Sequence, residues 1–231
     1  MFEDIIATPW DSRVFGVNTS EILYTSEINL QTTLQRIFKE KSLGHYTIKI
    51  NPLAPKKILH EFGFYYCDTL IEPYCSPERI VKYDQEGIDI SESVNREELS
   101  LLSNIIYSTF TYDRFHRDFN INPHLADVRY DLWLQDLWKN EQVFTLRYSG
   151  KIAGFWAYSN NKILLHALSQ EYKGKGLSKY FWSLACVKLL AKGHQEITSS
   201  ISASNLAVLN LYSSLGFRFR NAVDIYHLVL E

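Results

Sequence analysis

Ile163-Leu-Leu-His-Ala-Leu168 leads into Lys173-Gly-Lys-Gly-Leu-Ser178, and that loop opens the amphipathic run from Ser178 to Ala191. An apolar strand, a glycine loop and a helix in this order form an anion-binding arrangement. Gly174 and Gly176 lack the Cβ atoms that would hold a ligand off the backbone, so amides of the loop and first helical turn can point at whatever lies there. A diphosphate is the expected guest. The dinucleotide fingerprint does not fit, because no third glycine follows at the required spacing. The Walker pattern fails as well, since no Gly-Lys-Ser/Thr follows a four-residue gap.

Further along, Asn205-Leu-Ala-Val-Leu-Asn-Leu-Tyr-Ser-Ser-Leu-Gly-Phe217 reads as a helix. Asn205 is its N-cap, Leu206, Leu209 and Leu215 lie on or near one face, and Gly216 closes it. Together, in this order, the two segments resemble the acetyl-CoA site of the GNAT acyltransferase superfamily. That family's loop runs Arg/Gln-x-x-Gly-x-Gly/Ala, and its later helix often runs Asn-x-x-Ala-x-x-Leu-Tyr-x-x-x-Gly-Phe. Here Lys173 replaces the Arg/Gln, Gly176 matches, and Ser178 replaces the final Gly/Ala. Asn205, Leu211, Tyr212, Gly216 and Phe217 match the second motif, with Val208 at the usual Ala position.

The resemblance implies an α/β (α+β) GNAT fold, a mixed central sheet flanked by helices, and acetyl-CoA or a longer acyl-CoA as co-substrate. It implies that Lys173, Gly174, Lys175, Gly176, Leu177 and Ser178 cradle the cofactor, with Asn205 bonding the cofactor or a bridging water as well as capping its helix. Backbone amides near Ala167 and Leu168 would polarise the thioester carbonyl. Tyr212 would approach the CoA sulfur as general acid, and a phenol with pKa near ~10 suits a thiolate leaving group. For the base, His166 has a suitable ordinary pKa and a place on the strand before the loop. His116 is another candidate, and a structural role for His166 stays open.

Composition agrees with a globular enzyme. The chain has 231 residues, 46% hydrophobic, with net charge −2, enough to bury one large core or two small ones. With charges interspersed, neither a basic face for nucleic acid nor a polybasic membrane segment is expected. Acidic residues stand near the N-terminus where a signal peptide would be basic, and no apolar run approaches the ~18 residues of a membrane span. A cytoplasmic location is expected. Cys67, Cys75 and Cys186 form no CxxC pair, which argues against a disulfide framework or a zinc site. No metal is expected.

Apolar periodicity breaks between Ser76 and Ser93, which places a boundary near residue 85 between an N-terminal α/β domain (1–85) and the acyl-CoA domain (86–231). The first domain alternates as strand Glu21–Thr25, helix Leu30–Lys41, strand Tyr46–Ile50, helix Pro55–Phe62 and strand Tyr65–Ile71. Its Asn51–Phe64 segment echoes Asn205–Phe217, either as a degenerate half of the same fold or by chance. In the second domain, helices Asn95–Phe110 and Pro123–Asn140 precede a hairpin turning at Ser149-Gly150 and the strand ending near Leu168. Helix Ser178–Ala191, strand Glu196–Ser202, helix Asn205–Leu215 and strand Val223–Leu230 complete the order ααβββαβαβ.

Trp10-Asp-Ser-Arg-Val-Phe-Gly-Val-Asn18 and Tyr107-Ser-Thr-Phe-Thr-Tyr-Asp-Arg-Phe-His-Arg117, with the aromatic helix that follows, are similar to bacterial TDP-fucosamine acetyltransferases. This narrower resemblance implies acylation of the amine of a TDP-linked amino-dideoxyhexose, 3- or 4-amino, in surface polysaccharide biosynthesis. Arg13, Arg114 and Arg117 would be partners for the acceptor's diphosphate. Ion pairing of these arginines with Asp11, Asp113 or Asp118 is the competing reading. Phe15 marks the resemblance, and Phe115 would stack on thymine or pack in the core. Alternative acceptors are a protein N-terminus or a small metabolite amine, and a non-catalytic acyl-CoA-binding module is the third reading. Pairing of the chain as a homodimer stays open.

Overall fold

The computed structural model describes residues 4–107 and 109–231. They form two compact units, one of residues 4–70, 111–129 and 222–231, the other of residues 71–110 and 130–221. This differs from the single boundary expected near residue 85. The segments 111–129 and 222–231 find their partners in the first unit through long-range pairing, which local periodicity does not carry.

In the first unit the strands are β1 (Ile5–Ala7), β2 (Thr19–Ile22), β3 (Gly44–Ile50), the start of β4 (Tyr65–Cys75) and the end of β11 (Arg218–Leu230). Their order is β1-β2-β3-β11-β4. β2 and β3 run parallel, Ile22 opposite Ile48, while β3 and β11 run antiparallel, Thr47 opposite His227. Helices α1 (Pro9–Phe15), α2 (Glu27–Lys39) and α3 (Lys57–Glu61) accompany them. Leu30, Leu34 and Ile37 sit at helical spacing on α2 and bury their side chains with Ile48, Leu59 and Phe64, which is why α2 forms.

The second unit contains β5 (Ile88–Ser91), α4 (Arg96–Ile106), most of α5 (Pro123–Lys139), β6 (Val143–Tyr148), β7 (Lys151–Ser159), β8 (Lys162–Leu168), α6 (Ser178–Leu190), β9 (Ile197–Thr198), β10 (Ile201–Ser202) and α7 (Leu206–Ser214). Strand order is β4-β9-β8-β7-β6-β5, with β10 on β4. A capping box starts α4: Asn95 accepts from the Glu98 N–H and Glu98 accepts from the Asn95 N–H. The helix ends at Ile106 rather than Phe110, and Ser108 lies outside the described residues. At the β6–β7 hairpin Ser149 and Gly150 both take positive φ, 48° and 79°, the geometry a two-residue turn needs to match strand twist. One cluster, with Leu102, Tyr130, Leu134 and Phe155, belongs to α4, α5 and the sheet. Another, with Trp156, Phe181, Cys186, Tyr212 and Phe217, belongs to the sheet, α6 and α7.

Strands β1 and β5 and helix α1 were not expected from the sequence. Each is short, and β1 exposes Ile6 and Ala7, so no alternating apolar pattern announces it. The single expected strand Glu196–Ser202 is instead the two short strands β9 and β10.

Gly154 on β7 lies opposite Leu168, and a Cβ there would stand 2.1 Å from the Ala167 carbonyl oxygen and 3.0 Å from the Leu168 Cα. Since the obstruction is backbone, Gly154→Ala is expected to lower stability by about 1–3 kcal/mol, read as a fall in urea midpoint at unchanged slope.

Candidate active site

In the second unit, β8 is well paired along one edge. It runs antiparallel to β7 from Ser159↔Lys162 to Gly154↔Leu168, with a register shift between Ala157 and Tyr158. Along its other edge, among the described residues, the parallel pairing with β9 is confined to Lys162↔Thr198. The Ser199 hydroxyl donates to the Ile163 carbonyl at 3.1 Å, which ties the root of the two strands. β8 then continues to Leu168 while β10 pairs with β4. Past its bulge, the Ser169 N–H donates to the Ala153 carbonyl and the Ala167 carbonyl lies against Gly154, so residues 167 and 169 turn their main-chain groups toward β7. Alternation directs the amides of His166 and Leu168 to the open edge. Of the two amides expected near the thioester, that of Leu168 therefore faces the gap and that of Ala167 does not.

The open edge leads into the glycine loop. Gly174 and Gly176 both take φ +73°, and nothing lies within 4 Å of where their Cβ atoms would be. The left-handed backbone requires glycine, and the space beside it is available to a ligand. α6 begins behind the loop with Leu177 as N-cap and no side-chain cap, leaving its first amides for an anion. Lys175 places its ammonium over the Tyr172 ring, 5.6 Å from the centroid. Lys173 is turned to the Thr109 hydroxyl at 3.1 Å, and burial lowers its pKa.

α7 presents its motif residues differently from the leucine stripe read in the sequence. Leu206 is 66% exposed, whereas Tyr212 and Leu215 are fully buried. Asn205 accepts from the Val208 N–H at 3.3 Å and so caps the helix. The Tyr212 hydroxyl lies 3.1 Å from His166 Nε2 and against the Ser199 side chain. Burial pushes the Tyr212 phenol far above its ordinary value. The half-buried His166 ring packs edge-on to Trp182, centroids 4.8 Å apart, and burial pushes its pKa down to about 4. At neutral pH both groups are uncharged. With Nε2 engaged by the Tyr212 hydroxyl, the imidazole is paired rather than free.

The expected acceptor residues lie in the first unit. Arg13 is exposed near the end of α1. Phe115 is 2% exposed, packed with Phe15, Ile121 and Ala126, and Arg114 and Arg129 lie over its ring at 4.6 and 4.2 Å. Its ring is core, so stacking on a nucleobase would need the segment to move. Arg117 pairs with Asp68 at 3.0 Å, and Asp11 pairs with Arg129. Arg117 and Asp11 are thus paired with partners other than those the sequence suggested. His116 is held by Asp113 at Nδ1 and Asp127 at Nε2, at 2.5 and 3.1 Å. Burial would lower its pKa, but the two carboxylates outweigh this and raise it, so His116 is unsuited to be a base.

Sequence reading missed a buried cluster in the same unit. The Asp118 carboxylate accepts from the Tyr65 hydroxyl at 2.9 Å and the Asn120 N–H at 2.8 Å, and lies 2.7 Å from His227 Nδ1 and 3.3 Å from His45 Nε2. Donor atoms of His45, Asp118 and His227 all lie within 4.8 Å of one another. Spacings of 2.7 and 3.3 Å to one oxygen are those of a shared hydrogen-bond acceptor. Burial would raise the Asp118 pKa, yet these hydrogen bonds hold it well below the usual carboxylate range. No local pattern could have signalled three residues so far apart in the chain.

Residues 124–225 match the family described as an acetyltransferase (GNAT) domain. No curated protein matches the chain in sequence. Among solved structures, a GCN5-related N-acetyltransferase from Sphaerobacter thermophilus has TM-score 0.69 at 11% identity, covering 98% of this chain and 76% of its own. A GNAT-family protein from Novosphingobium aromaticivorans has TM-score 0.52 at 17% identity, covering 92% and 84%. A glucosamine N-acetyltransferase region of a fungal multi-domain β-N-acetylglucosaminidase has TM-score 0.59 at 12% identity, covering 91% and 30%. The chain thus has the GNAT fold, and its residues 124–225 match a GNAT acetyltransferase domain. Among the described residues, no helix is long and apolar enough to cross a membrane.

Two measurements bear on this geometry. Gly176→Val forces a β-branched residue into a left-handed backbone at a cost of about 1–3 kcal/mol. It is expected to raise the Kd for CoA by roughly 10-fold or more, read by calorimetry, with a melting temperature lower by roughly 2–4 °C per kcal/mol of strain. Separately, burial pushes His227 from its ordinary value near 6.5 down to about 3. Its contribution to stability is complete above pH ~6.5 and declines toward pH ~3, because the unfolded chain takes up a proton that the folded chain refuses. The melting temperature is expected to drop between pH 7 and pH 5, with a shallower slope for His227→Gln.

Proposed function

We propose that the protein transfers an acyl group from acyl-CoA to the amine of a TDP-linked 3- or 4-amino-dideoxyhexose. The observation that carries the transferase reading is the open edge of β8 running straight into the glycine loop and the uncapped start of α6. Pyrophosphate would lie on the amides of Gly174 to Ser178, and the thioester carbonyl would accept a hydrogen bond from the Leu168 N–H as its oxygen gains charge. Tyr212 is the general acid for the departing thiolate. Attack requires the neutral amine, since a protonated nitrogen has no lone pair.

The sugar-nucleotide acceptor rests on the likeness of Trp10–Asn18 and Tyr107–Arg117 to TDP-fucosamine acetyltransferases. Arg13, Arg114 and Arg117 are the proposed diphosphate partners, with Phe15 and Phe115 beside them. The fungal glucosamine N-acetyltransferase region shares the fold, so an amino-sugar acceptor is within what this fold accommodates.

Incubation with acetyl-CoA and a panel of TDP-amino sugars, peptides and polyamines tests the reading by thiol release. Turnover is expected with a TDP-amino sugar, and Tyr212→Phe should lower kcat about 10²-fold with CoA affinity little changed. Acylation of peptides or polyamines alone would replace the acceptor, and absence of thiol release with every amine would end the enzyme reading.

A further inference from the structure

The transfer leaves one proton to be accounted for. When a neutral amine attacks the thioester carbonyl, the C–N bond forms and the carbonyl pair moves to oxygen, giving an ammonium nitrogen beside an oxyanion. Collapse re-forms C=O, breaks C–S and sends the pair out on sulfur. The proton on nitrogen must reach that sulfur. His116 is occupied at both nitrogens by carboxylates, which leaves His166 of the two histidines read as candidate bases.

We infer that Tyr212 and His166 act as one proton-relaying pair. Tyr212 Oη takes the proton from the ammonium nitrogen while its own proton shifts to His166 Nε2. As the C–S bond breaks, Oη gives its proton to the thiolate and recovers the one held at Nε2. One proton moves from nitrogen to sulfur, and both side chains end as they began. This inference rests on the acyltransferase reading above and supplies the base that reading lacks.

Three observations carry it. The Oη–Nε2 distance is 3.1 Å, a hydrogen bond between neutral partners. Oη meets His166 on β8 on one side and Ser199, just past β9, on the other, so it stands between the two strands close to where they part. In this scheme the thioester reaches the hydroxyl by entering that gap. The relay requires Nδ1 to carry the hydrogen and Nε2 the lone pair, the tautomer a proton acceptor needs. Full burial of Tyr212 keeps bulk water from competing for the proton. His166 touches no reacting atom in this scheme and is a positioning residue that works through Tyr212.

The experiment compares the full-length protein with His166→Gln, Tyr212→Phe and the double variant, using the acceptor found in the amine panel. Each single change should lower kcat about 10²-fold with KM for acyl-CoA within about twofold, and the double variant should be no slower than the slower single one, as for residues acting as a unit. In parallel, ¹⁵N-histidine spectra of the ligand-free protein should show His166 Nε2 unprotonated, with a resonance that moves in Tyr212→Phe. A His166→Gln enzyme at the parent rate, multiplying losses, or a protonated Nε2 would each overturn the relay while leaving the acyltransferase reading intact. No thiol release with any amine would remove both together. The spectra need no variant at position 166, so the tautomer is decided even if His166→Gln fails to fold.

Discussion

A parallel strand that loses its neighbour after one residue pair leaves main-chain donors and acceptors with nothing to bond, and such groups must find a partner or face solvent. In β8 the pairing with β9 is confined to Lys162↔Thr198, while the pairing with β7 holds along its length. Rigid support on one side with unmet hydrogen-bonding capacity on the other is the condition for a preorganised binding edge. The glycine loop and the uncapped start of α6 follow that edge, and the amide of Leu168 lies on it. Gly154 belongs to the same constraint, because β8 approaches β7 there too closely for a Cβ.

Burial acts oppositely on the charges of the two units. In the second, it holds Tyr212 and His166 uncharged, so the pair beside the open edge is polar without carrying a field of its own. In the first, Asp118 stays ionised although buried, because two histidines, a tyrosine hydroxyl and a backbone amide surround it. Buried charges survive only with such partners. Asp118 spends its hydrogen-bonding capacity on fixing segment 111–122 to β3, β4 and β11. The neighbouring His116 is likewise consumed by Asp113 and Asp127. Residues that look chemically competent in a one-dimensional reading are in this unit mostly engaged by one another.

Much of the second unit was legible because its signals are local. Turn chemistry at Ser149-Gly150, the aromatic face of α5 and the glycines at 174 and 176 each act over a few residues, and each appears where the pattern placed it. Errors fall where a local rule met a long-range one. Of the leucine stripe of α7, Leu209 and Leu215 pack on the core while Leu206 is exposed and Tyr212 is buried, since burial there is set by what α6 and the sheet present rather than by hydrophobicity alone. Asp118 was read as a surface partner for arginine and is instead enclosed, its partners 73 and 109 residues away in the chain.

Residue identity and spacing were enough to read the glycine loop and the capped, tyrosine-bearing helix, because glycine at positive φ and a capped helix are properties of short segments. Three-dimensional packing alone decided which amide of β8 faces the gap, that His166 is paired with Tyr212 rather than free, and that Phe115 is core. Those outcomes depend on strand register, on desolvation and on contacts between residues far apart in the chain. Hydrogen bonds and pKa values respond to distance in space, and sequence separation carries no such distance.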